Sequence, residues 1–89
     1  MAEGVLPLLA ERFPERMSRV RALLERDHEF RALCEDFAVA VQVQRRWEGS
    51  VNPEGARRAA EYRQLATEIA LEIEDVLASA PSTPEAERG

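Results

Sequence analysis

Phe30, Leu33, Cys34, Phe37, Ala40, Val41 and Trp47 recur at intervals dominated by three and four. That spacing puts side chains on one face of an α-helix, and no stretch of the chain alternates with the period of two that a half-buried strand needs. The chain is therefore expected to be all-helical. Val39 and Val43 fall off the stripe and give the same helix a second apolar face. A helix that is apolar on two sides, in a chain this short, needs something further to pack on.

The remaining segments repeat the period. Val5, Leu6, Leu8 and Leu9 surround Pro7 in a short amphipathic turn or helix, proline being tolerated near a helix start. From Pro14, the positions Met17, Val20, Leu23 and Leu24 predict helix to about Glu25. Asp27 can cap a new helix, so a break or kink is expected there, although Leu23, Phe30 and Phe37 at sevenfold spacing would also allow the helix to continue. Gly49 suits a left-handed helix stop. Asn52, Pro53 and Glu54 then read as cap, first position and favourable first-turn charge of a return helix. That helix carries Tyr62, Leu65, Ala66, Ile69, Ile73, Val76 and Leu77 on one face and Glu61, Glu68, Glu72, Glu74 and Asp75 elsewhere, and should end near Leu77 or Ala78.

The expected architecture is a single domain over 1–78: an antiparallel two-helix hairpin (about 28–47 and 53–78), coiled-coil-like, with an N-terminal helical arm (about 4–26). The two long helices should cross at about 20° and lie about 8–10 Å apart. The stretch 79–89, with two prolines and no apolar anchor, reads as a disordered tail.

A chain of 89 residues has room for one small domain and buries only a modest share of its surface, which favours self-association. Its net charge of −5 argues against a broad electrostatic grip on phosphate backbones, though not against a local basic patch. All twelve basic residues are arginine, which genomic base composition accounts for as readily as function. The N-terminal run lacks the basic flank of a secretory leader, and no run reaches the roughly 18–20 apolar residues of a membrane span. The expected compartment is the cytoplasm.

The segment "FPERMSRVRALLERDHEFRALCEDF", the later "WEGS" and the acidic return helix "EYRQLATEIALEIEDVL" resemble the YdcH family of small bacterial proteins. The shared features are the "FPE" start, an aromatic at Phe30, a leucine three residues on at Leu33, and the "EGS" turn, over roughly residues 13–77. The resemblance implies a cytoplasmic helical hairpin that tends to associate, and it brings no activity and no functional residues to transfer. The chain departs from the family pattern in lacking lysine, in carrying Trp47, and in its longer lead and acidic tail.

No residues gather into an evident catalytic pattern, and no cofactor or metal is expected. His28, with Glu25, Asp27 and Glu29, is one histidine among loosely placed carboxylates, a poor basis for zinc or acid–base work. Cys34, the single cysteine, has no disulfide partner in its own chain, reads as a small core residue, and is turned away from His28 on a continuous helix. The acidic run Glu68, Glu72, Glu74 and Asp75 reads either as a solvated face relieved by Arg19, Arg26 or Arg31, or as a patch for a basic partner.

The turn "RRWEGSVNPEGARR" concentrates the remaining candidates. Arg45 and Arg46 precede a helix C-terminus, where the helix dipole favours cations, but Arg57 and Arg58 stand in the first turns of the next helix, where it does not. Local pairing with Glu54 and Glu61 explains them. So does a tip that gathers four guanidinium groups and an indole, Trp47, to bind an anion or nucleic acid. The expected function is non-catalytic protein–protein contact, as a self-associating adaptor or accessory subunit, with Val39 and Val43 or the Arg45, Arg46, Trp47, Arg57 and Arg58 tip as contact residues. Anion or nucleic-acid binding by the tip is the alternative.

Overall fold

The computed structural model describes residues 4–79. The chain is all-helical over this range, in the order α1 (Val5–Arg12), α2 (Met17–Arg26), α3 (His28–Glu48) and α4 (Gly55–Ser79), with a turn of 3-10 helix at Pro14–Arg16. No described residue lies in a strand. The part of the tail beyond Ser79 lies outside the described residues.

Each boundary has a local cause. Pro7 is the third residue of α1, where its missing N–H would have had no partner within the helix. Phe13, with φ −128° and ψ 57°, closes α1 by donating its N–H to Leu9 O at 2.7 Å. Pro14 keeps the preceding residue out of helical geometry. The helix expected from Pro14 therefore begins as a 3-10 turn, and regular α-helix waits until Met17.

Asp27 ends one helix and begins the next. Its N–H donates to Leu23 O (2.8 Å), its carbonyl accepts from Arg31 N–H (3.0 Å), and its Oδ1 accepts from Phe30 N–H (3.0 Å). Arg31 reaches back across the break and donates from Nε to Leu24 O at 3.1 Å.

At the far end of α3, Gly49 has φ −89° and ψ 2° and is not left-handed. The helix closes instead through Gly49 N–H to Arg45 O (3.2 Å) and Ser50 N–H to Trp47 O (3.1 Å), which needs no special glycine conformation. Asn52 Oδ1 accepts from Glu54 N–H at 2.8 Å, yet regular α4 begins at Gly55, two residues after the expected start at Pro53.

The molecule is elongated, 57 × 22 × 21 Å, with its most extensive helix contact between α3 and α4, while α1 and α2 both lie against α3. Leu9, Val20, Phe30, Cys34, Ile73 and Leu77 anchor a continuous core drawn from all four helices. The Phe13 and Phe37 rings meet at 6.3 Å and 53°, a tilted contact that ties the end of α1 to the middle of α3. Ala66 and Ala70 on α4 are buried as well, small enough to let neighbouring helices approach closely.

Leu65, expected in the core, is 42% exposed. The buried stripe of α4 is centred towards Ala66, Ala70 and Leu77, which leaves Leu65 on its edge.

Candidate functional site

The seven residues singled out in the sequence fall into three separate environments. Arg45 crosses to α1, where its Nη2 lies 2.9 Å from Glu11 Oε1. Beside this pair runs a groove between α1, α3 and α4, lined by Leu8, Val41, Gln44, Arg63 and Thr67 among others.

Arg57 and Arg58 are held by the carboxylates of their own helix start. Arg57 meets Glu54 at 2.7 Å and Glu61 at 4.0 Å; Arg58 meets the same two at 3.7 and 3.5 Å. All four side chains are well exposed, so each pair contributes only about 0.2–1 kcal/mol, but together they neutralise the tip. Arg63 adds a bond to Glu48 at 3.3 Å. The hydrogen bond from Gln44 Nε2 (2.9 Å) and the contact with Arg63 hold the Glu48 carboxyl below its ordinary range. Trp47 and Tyr62, both half-buried, line a recess with Asn52, Pro53, Glu54 and Arg58.

The third environment is the outer face of α3. Val39, Val43 and Arg46 follow at spacings of four and three along one uninterrupted helix, on the side away from Phe30, Cys34 and Phe37. Val39 is 56% exposed, Val43 is half-buried and Arg46 is exposed. Arg46 therefore belongs to this face and not to the charge-paired tip. Among the described residues its guanidinium has no carboxylate partner.

Sequence reasoning missed the ties that α1 makes to distant positions. The Arg45 to Glu11 pair and the Arg12 to Glu74 pair (3.1 Å) fasten α1 to α3 and to α4. Neither has a local spacing that could have revealed it. Glu74, read as part of an acidic surface run, is thus engaged by the arm.

Cys34 is fully buried and, with Glu35 adding a smaller electrostatic effect, burial pushes its thiol up to about 12. His28 stands exposed at the start of α3. Among the described residues, no cluster of three or more His, Cys, Asp or Glu side chains could hold a metal ion, and no helix is long and apolar enough to cross a membrane. Comparison of the chain with protein-family models, curated proteins and solved structures finds no match.

Proposed function

We propose that this chain is a non-catalytic helical protein that works through protein–protein contacts, associating with itself and serving as an adaptor or accessory subunit in the cytoplasm. In this reading α3 and α4 form an antiparallel hairpin of YdcH type, carrying α1 and α2 as its N-terminal arm. The short connection 49–54, the extensive α3 to α4 contact and the Arg63 to Glu48 bond across the two helices support that arrangement.

The observation that carries the functional reading is the outer face of α3. Val39 and Val43 lie together on the side opposite the core, and burying the part of Val39 that remains exposed on a partner is worth about 1–2 kcal/mol. The competing reading, an anion-binding or nucleic-acid-binding tip, draws support from the recess of Trp47, Tyr62 and Arg58. It is weakened by the carboxylates already paired with Arg45, Arg57 and Arg58.

Light scattering of the full chain over a concentration series tests the first reading, which expects the mass to rise above that of one chain. Trp47, the single tryptophan, reports on the second. Its fluorescence should stay unchanged when a single-stranded oligonucleotide is added at low salt. Quenching that is abolished by Arg58→Gln, with no growth in mass, would favour the tip instead.

A further inference from the structure

We propose that the outer face of α3 is an antiparallel seam for a second copy of this chain, in which Val39 meets Val43 of the second copy and Asp36 pairs with Arg46 of the second copy. This specifies the partner of the self-association reading and rests on it.

Glu29, Ala32, Asp36, Val39, Val43 and Arg46 follow one another at spacings of three, four, three, four and three, a heptad stripe separate from the one that builds the core. Every member is exposed except the half-buried Val43. The other large exposed apolar side chains of the long helices, Leu65 and Leu71, are six residues apart and point to different sides of α4, so they make no seam.

The stripe is complementary to itself in the antiparallel sense alone. Positions 39 and 43 are centred on 41, and so are 36 and 46. A two-fold axis at the level of position 41 therefore brings valine to valine and carboxylate to guanidinium, and it does so twice, as an isologous contact requires. A parallel pair would set Asp36 against Asp36 and Arg46 against Arg46.

Within one chain both charges are idle. Among the described residues neither Asp36 nor Arg46 has an ion pair or a side-chain hydrogen bond. The sequence explains this, because the residues three and four away from each on the helix carry no opposite charge: Ala32, Leu33, Val39 and Ala40 around Asp36, and Gln42 and Val43 before Arg46. The overlap spans about two heptads, enough for a reversible dimer and too short for an obligate one.

Charge reversal tests the register. Asp36→Arg and Arg46→Asp are made in the full chain and examined by sedimentation velocity over a concentration series, separately and as an equimolar mixture, with helical content checked by circular dichroism. Each variant alone sets like charges face to face, so its dimer dissociation constant should rise at least about tenfold over the unaltered chain. In the mixture, the arginine introduced at position 36 of one chain faces the aspartate introduced at position 46 of the other, while the native Arg46 of the first faces the native Asp36 of the second. Dimer should therefore return.

If the unaltered chain dimerises and both variants dimerise equally well, the seam is wrong while self-association stands. A mixture of weakened variants that stays monomeric also overturns the register. If the unaltered chain is monomeric throughout, both readings fall.

Discussion

Gly55 stands so close to Trp47 that a Cβ added to it would lie 2.9 Å from the Trp47 carbonyl oxygen. The close approach is the point where α4 starts beside the end of α3. Because the crowding atom belongs to the backbone, it cannot swing aside. Gly55→Ala should lower stability by about 1–3 kcal/mol through overpacking, despite alanine's better helix propensity. Gly49 is the control: a Cβ there meets nothing nearer than 3.8 Å, so Gly49→Ala should fall within about 0.5 kcal/mol of the parent in urea denaturation.

Asp27 caps α3 through its Oδ1. Asp27→Ala should remove about 1 kcal/mol, while Asp27→Asn, which keeps an acceptor oxygen, should lose much less. Equal losses for the two variants in the same denaturation experiment would show that charge, and not the cap, is responsible.

The α4 stripe separates residues that look alike in the sequence. Ile73 is fully buried and Leu65 is 42% exposed. Ile73→Ala should cost about 2–5 kcal/mol, and Leu65→Ala under about 1 kcal/mol. Equal losses would contradict the orientation of α4.

Cys34 gives a pH test with a definite sign. Its folded pKa, about 12, lies above the ordinary 9.0, so the folded state holds the thiol proton more tightly than the unfolded chain. The corresponding stability is present below pH 9 and is lost as pH rises from there towards the folded value. The melting temperature should therefore fall more steeply above pH 9 for the parent than for Cys34→Ala. In the native protein at neutral pH the thiol should resist a disulfide-exchange reagent and react fully after denaturation.

The helical period and the break were legible because they are local. Phe30, Cys34 and Phe37 repeat within one helix, and Asp27 caps a residue three positions away. The pairing of Arg57 and Arg58 with Glu54 and Glu61 was legible for the same reason. What stayed hidden depends on a second element. Nothing near Gly55 announces that Trp47 O lies against it, and nothing near Arg45 announces Glu11, 34 residues away. Leu65 misleads because a wide apolar stripe does not say which edge its neighbours cover. Position in the sequence groups Arg46 with the tip, whereas its direction on α3 puts it with Val39 and Val43.

Amide chemical shifts of the labelled full chain, followed by dilution, test most directly whether the outer face of α3 is the contact surface. The account predicts concentration-dependent changes along Ala32, Asp36, Val39, Val43 and Arg46, with little change at Arg57 and Arg58. Changes confined to the tip, with Val39 and Val43 unaffected at every concentration, would contradict it.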